Sequence, residues 1–199
     1  MQVDTGRIGQ SDDKQQVILT AAMAAFAQYG FRRVSMDEIA KRAGMSRAAL
    51  YLHFRNKEDI FATGVELYFE QVAGAMAEVL HGAGDPVDAL RGAFAAKVAP
   101  PYDMLMDSPH GEELIDLKTT AAAGVVAEGD ATLIAVISDW LARAQAAGNV
   151  TLEDYGTAED AARTILNALH GVVMAARSYA VLRADLDRLA RLIGRSLRP

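Results

Sequence analysis

An all-α fold of about nine helices is predicted by three features of the chain. Apolar residues recur at helical spacing along most of its length, the interruptions carry residues that cap or stop helices, and no stretch alternates apolar with polar side chains as a strand would. Composition agrees. The 199 residues are 51% apolar, enough for one substantial core or two small ones. With 23% charged residues, 5 prolines and 16 glycines, the chain is neither disordered nor fibrous in type. No self-similar period marks a solenoid.

Taken in order, residues 1–10 are polar and aperiodic, and read as a flexible arm. Ser11 or Asp12 then caps a first helix over Asp13 to Tyr29, whose inner face carries Val17, Ile18, Ala21, Ala22, Ala25, Phe26 and Tyr29 before Gly30 stops it. Ser35 to Glu38 has the form of a capping box. It opens a short second helix that presents Met36, Ile39, Ala40 and Ala43, and Gly44 ends it by accepting a positive φ. Ser46 caps a third helix from Arg47 to about His53, so two short helices flank a glycine-containing turn. That is the punctuation of a helix-turn-helix over Met36 to Phe54. Asn56 caps a long fourth helix, with Ile60, Phe61, Leu67, Tyr68, Val72, Met76 and Val79 inward, which ends at the hinge-like Gly82-Ala83-Gly84. Further starts are expected at Asp85-Pro86, Ser108-Pro109 and Thr157 to Asp160, with a stop at Gly148-Asn149. Two last helices are expected over Ala158 to about Leu182 and Asp185 to Leu197. The domain division is 1–55 for the helix-turn-helix head and 56–199 for a helical regulatory and dimerisation domain.

The net charge of −6 is unevenly spread. Residues 1–60 carry a net +2 and the remainder −8. Between positions 32 and 57, Arg32, Arg33, Lys41, Arg42, Arg47, Arg55 and Lys57 stand against only Asp37 and Glu38, a local basic footprint suited to phosphates. The chain has no cysteine, so disulfides, thiolate metal sites and a cysteine nucleophile are excluded. Its charged start lacks the apolar segment of a signal peptide, and no window reaches about eighteen uncharged apolar residues. The richest window, Ala121 to Val136, is broken by Glu128 and Asp130. A cytoplasmic protein without a membrane partner is expected. Phosphate-binding loops and zinc-hydrolase or serine-hydrolase motifs are absent, and the four histidines stand apart, so no catalytic residue, metal or cofactor is expected. His110 beside Glu112 and Glu113 reads as an exposed first helical turn.

A helix that enters the major groove needs a thin leading end, polar side chains there and an apolar back. Ser46 and Arg47 lead the third helix, Ala48 and Ala49 keep the approach close, and Leu50 and Phe54 form the back. The run from Val34 to Phe61, with Phe26 and Tyr29-Gly30-Phe31 before it, the Ala-Gly-Met-Ser turn, Leu50-Tyr51-Leu52-His53-Phe54 and Asn56-Lys57-Glu58, resembles the DNA-binding segment of TetR-family transcriptional regulators. About a quarter of the chain carries that resemblance. It implies a homodimeric repressor that binds palindromic double-stranded operator DNA and is released by a small-molecule effector. Carried over by position, it implies base reading by Arg47 and Ala48 with Leu52 near the groove, and phosphate contacts from Ser35, Ser46, Tyr51, His53 and Lys57. Met36 completes the DNA-binding set. Lys57 has a further reason, lying in the first turn of a helix whose dipole favours anions. Ala49 and Leu52 depart from the polar or aromatic residues that relatives often carry there.

Beyond Gly84 the resemblance is loose. The last two helices carry wide apolar stripes, and Leu166, Leu169, Val173, Leu189, Leu192 and Ile193 are expected at a two-fold helical interface. Candidate effector contacts are Phe94, Tyr102, Met106, His110, Trp140, His170, Met174 and Arg177, an apolar set with a few polar ends. The competing functional readings are a helical interaction protein that has lost operator binding and, further off, an enzyme.

Overall fold

The computed structural model describes residues 5–98, 102–115 and 122–199. All regular structure among them is helical: α1 Thr5–Tyr29, α2 Met36–Arg42, α3 Arg47–Tyr51, α4 Lys57–Gly82, α5 Pro86–Val98, α6 Tyr102–Met106, α7 Gly111–Ile115, α8 Ala123–Ala146, α9 Ala158–Ala175 and α10 Tyr179–Ser196. They form two compact units. One runs to Glu66 and regains Ser108–Val125, and the other comprises Leu67–Asp107 and Val126–Pro199.

In the first unit, α1 packs on α2 and α2 on α3. Ile18, Ala22, Phe26, Ile39, Leu50, Phe54, Ile60 and Phe61 are buried at their junction. The Phe26, Phe31 and Phe61 rings meet at centroid distances of 5.0 to 6.0 Å, tilted or edge-on, the arrangement that ring quadrupoles favour. α1 starts at Thr5, so residues 5–10, expected as an arm, are helical, and 1–4 lie outside the described residues. The early turns carry no apolar stripe to announce them, since extending an established helix adds one backbone bond per residue whatever the side chain faces. At the other end Gly30 turns left-handed at φ 83° and donates its amide to the Phe26 carbonyl. The His110 ring lies over it, 3.1 Å from where a Cβ would stand, and the His110 amide donates to the Ala27 carbonyl at 3.1 Å. The turn ahead of the short α7 thus satisfies a carbonyl at the end of α1 that the helix leaves open. α7 begins at Gly111 rather than at Pro109, which lies in a turn.

The second unit buries one face of each long helix. Phe69, Val72, Met76 and Leu80 of α4 are inside with Leu90 and Phe94 of α5, Leu133, Ile137 and Trp140 of α8, Ile165, Leu166 and Leu169 of α9, and Leu182 and Leu186 of α10. α10 packs on α5 and α9. Caps expected from the sequence hold these helices: Asp85 Oδ1 accepts from the Val87 and Asp88 amides, and Thr157 forms a reciprocal capping box with Asp160. The last helix pair divides six residues earlier than the expected start at Asp185. Ala176 is extended at ψ 134°, and Ser178 accepts from the Val181 amide to open α10 at Tyr179.

Candidate nucleic-acid interface

The helix-turn-helix is assembled by backbone groups that its side chains satisfy. Ser35 Oγ accepts from the Glu38 amide at 3.3 Å and opens α2. The reciprocal half of the expected box is missing, because the Glu38 carboxylate reaches forward to Arg42 Nε at 3.5 Å. At the far end Gly44 adopts φ 67°, and the Met45 amide returns to the Ala40 carbonyl at 3.0 Å while that of Gly44 donates to Lys41. This paired closure needs a left-handed residue, which glycine adopts without steric cost. Ser46 then caps α3, its Oγ accepting from the Ala49 amide at 3.1 Å.

With both serines engaged, α3 is held by its back. Leu50 and Phe54 are buried, whereas Arg47, Ala48, Tyr51 and Leu52 are exposed on the other side. Leu52 is 85% exposed, an unusual setting for an aliphatic side chain so close to a core. Arg47 Nη1 donates to Asp37 Oδ2 at 3.0 Å, and its guanidinium lies 5.5 Å from the Tyr51 ring centre. The Tyr51 phenol first, and the Asp37 carboxylate next, favour its charged form. The pair is more than half exposed on both sides, so a competing anion or base edge exchanges with it readily. Met36 and His53 are half-buried at the edges of this face. Among the described residues Arg32, Arg33 and Lys41 are exposed around it without an ion pair.

Lys57 departs from expectation. Its ammonium donates to the carbonyls of Phe31 (2.8 Å), Arg32 (3.0 Å) and Val34 (3.0 Å), and lies 4.9 Å from the centre of the Phe31 ring. An ammonium has three protons, and all three are engaged. The side chain therefore braces the turn between α1 and α2, and contact with a phosphate would have to break that brace.

The residues expected to touch an effector differ in burial and in the unit they belong to. Phe94, Tyr102 and Trp140 are buried in the second unit and Met106 is half-buried there. His170 is half-buried with Nε2 3.5 Å from Asp130 Oδ1. Met174 (58%) and Arg177 are exposed, while His110 belongs to the first unit, packed on Gly30. Of the residues expected at a two-fold interface, Leu166, Leu169 and Val173 are buried within the chain and present no surface. Their stripe on α9 is core. Leu189 and Ile193 are half-buried, and Leu192 is 71% exposed.

Residues 18–63 match the profile of bacterial regulatory proteins of the tetR family. The HTH-type transcriptional regulator AcrR of Shigella flexneri is 36% identical over 83 residues, 41% of this chain and 39% of that protein. The HTH-type transcriptional activator FasR of Mycolicibacterium smegmatis is 29% identical over 104 residues, 52% of this chain and 46% of that one. The chain thus spans less than half the length of these curated relatives. Likeness of fold extends much further. The fatty acid degradation regulator FadR of Bacillus halodurans superposes with a TM-score of 0.73 at 18% identity, over 90% of this chain and 94% of its own. A TetR-family transcriptional regulator from Agrobacterium tumefaciens does so at 0.69 and 21%, over 95% of this chain and 100% of its own. The helix-turn-helix segment of this chain, residues 18–63, is that of the tetR family of bacterial regulatory proteins.

Proposed function

We propose that this chain is a DNA-binding transcriptional regulator, a homodimer that represses by occupying a palindromic operator and leaves it when a small molecule enters the second unit. The observation that carries this reading is the uncovered front of α3: Arg47, Ala48, Tyr51 and Leu52 exposed together, on a helix fixed from behind by Leu50 and Phe54. In the major groove Arg47 exchanges Asp37 for a guanine edge, and Ala48 and Leu52 meet thymine methyls. Ser35, Ser46, Tyr51 and His53 contact the backbone on either side, with Met36 beside them. The head is residues 1–55, and 56–199 regulates and dimerises. A cytoplasmic, non-enzymatic role follows from this reading. Among the described residues no helix is long and apolar enough to cross a membrane, and no three metal-binding side chains cluster.

The test is binding of the full chain to the DNA upstream of its own gene, followed by fluorescence anisotropy across a salt series. Affinity should fall steeply with salt, as when several phosphates shed their counterions. Arg47→Ala should lose about 1–3 kcal/mol of discrimination at one base pair and leave the salt slope nearly unchanged. A parent protein with no preference for that DNA over a scrambled duplex would exclude the regulator reading and favour an interaction protein.

A further inference from the structure

Among the described residues Lys97 is the one fully buried charged side chain, at 2% exposure. It lies on α5 at the helical phase of Ala93 and Phe94, so the fold carries its ammonium inward. Nζ donates to the Tyr68 hydroxyl at 2.6 Å, and that hydroxyl donates in turn to the Lys97 carbonyl at 2.7 Å. The rings of Tyr68, Phe69 and Tyr102 surround Nζ at 4.8, 5.3 and 5.6 Å from their centres. Among the described residues no carboxylate lies within ion-pair distance of it. A buried ammonium normally acquires an anionic partner, because aromatic faces and a single neutral acceptor replace only part of its hydration. Among the described residues one of its three donor positions is used.

A second irregularity lies close by. Asp130 Oδ1 on α8 is buried and accepts no hydrogen bond, with His170 Nε2 3.5 Å away, and its carboxylate acts on Tyr68. Burial first, then Tyr102, then Asp130, hold the Tyr68 phenol well above its ordinary value, so it stays neutral and serves both as donor and as acceptor. A buried ammonium thus sits among rings carried by α4, α5 and α6, and the Asp130 carboxylate of α8 acts on the same Tyr68 phenol. A buried ammonium is ordinarily paired with an anion, and the want of one among the described residues indicates that the partner comes from outside the chain. Tyr102 closes the cage from α6, a helix of five residues.

We propose that Lys97, within Tyr68, Phe69 and Tyr102, reads the carboxylate of a small amphipathic organic acid whose apolar body lies against the rings. Asp130 accepts from a hydroxyl or amine of that molecule where it carries one. This rests on the second unit being the effector domain, and names the class of effector.

The full-length protein is titrated calorimetrically, without DNA, with octanoate and octanol and with phenylbutyrate and phenylbutanol. In at least one pair the acid binds the parent more tightly than its alcohol. Lys97→Met and Lys97→Gln each weaken the acid about tenfold or more and leave the alcohol within about twofold. Both variants melt no lower than the parent, because each removes a charge buried without a counter-ion. Equal binding of acid and alcohol in both pairs, an acid preference that survives both substitutions, or a lowered melting temperature in both variants overturns the proposal. Addition of the acid to the protein–DNA complex separates this inference from the one before it. Acid binding without release removes the repressor's effector mechanism and keeps the Lys97 site. Release of DNA by an acid that the calorimeter does not detect on the protein removes the site.

Discussion

Two lysines of this chain sit where a cation is needed for different reasons, and neither assignment follows from residue type. Lys57 was legible as a basic residue at a helix start, which favours an anion, but its stem length and the carbonyls of Phe31, Arg32 and Val34 decide its partner. Sequence cannot show that competition, because the carbonyls lie 23 to 26 positions away. Lys57→Met should lower the unfolding free energy by about 1–3 kcal/mol, the range for charge-assisted bonds to carbonyls. Its effect on DNA affinity should vanish once stability is accounted for, and the salt slope should match the parent's. A slope smaller by about one with stability intact would return Lys57 to the phosphates. Lys97 left a signal that was open to reading: one lysine at an inward phase of the run from Phe94 to Val98, where a charge belongs only if something answers it. The partners of Arg47 were legible only in part, since Asp37 lies ten positions earlier and meets it only once α2 and α3 have turned on each other.

At the scale of elements, the boundaries read correctly were those where side chain and backbone make a local bond: Ser35, Ser46, Asp85 and Thr157 each cap the helix expected of them. Those missed lack such a signal or owe their form to distant contacts, as with the early turns of α1 and the return of His110 to the end of α1; the break after Ala175 did carry one, the Ser178 cap. The Thr157 cap carries a pH dependence. Hydrogen bonds from the Thr157 side chain and then its amide hold the Asp160 carboxyl below its ordinary 3.8. A depressed folded value means that the stabilisation is complete above the unfolded value and is lost as pH falls through the folded one. Thr157→Ala should cost about 1 kcal/mol at neutral pH. The gap in melting temperature between parent and variant should narrow below pH 3.8 without closing, since the bond from the Asp160 amide to the Thr157 hydroxyl survives protonation. A gap constant across that range would show that the cap owes nothing to the charge.

For the whole molecule, the charge division and the apolar surface support the same assembly. Residues 1–60, with net +2, favour duplex DNA while the remainder, at −8, is repelled by it, so attraction is confined to the N-terminal part. A dimer interface is then sought on the second unit, and burial narrows the choice. Leu166, Leu169 and Val173 are core, and truncating Leu166 to Ala should cost about 2–5 kcal/mol of chain stability rather than dissociate anything. Leu192 is exposed, and Val181, eleven residues earlier and three turns back, lies on nearly the same side of α10 at 46% exposure. Large aliphatic groups repeated on one side of a terminal helix suit a self-complementary contact between two copies. On that reading Leu192→Asp should keep the helical content and melting behaviour expected of a monomer. It should shift sedimentation equilibrium at micromolar concentration from dimer to monomer and weaken operator binding, because the two heads no longer bind as one body. Val181→Asp should act in the same direction. If both variants sediment as dimers, the partner surface lies away from this side of α10, and the half-buried Leu189 and Ile193 lose their claim to it as well.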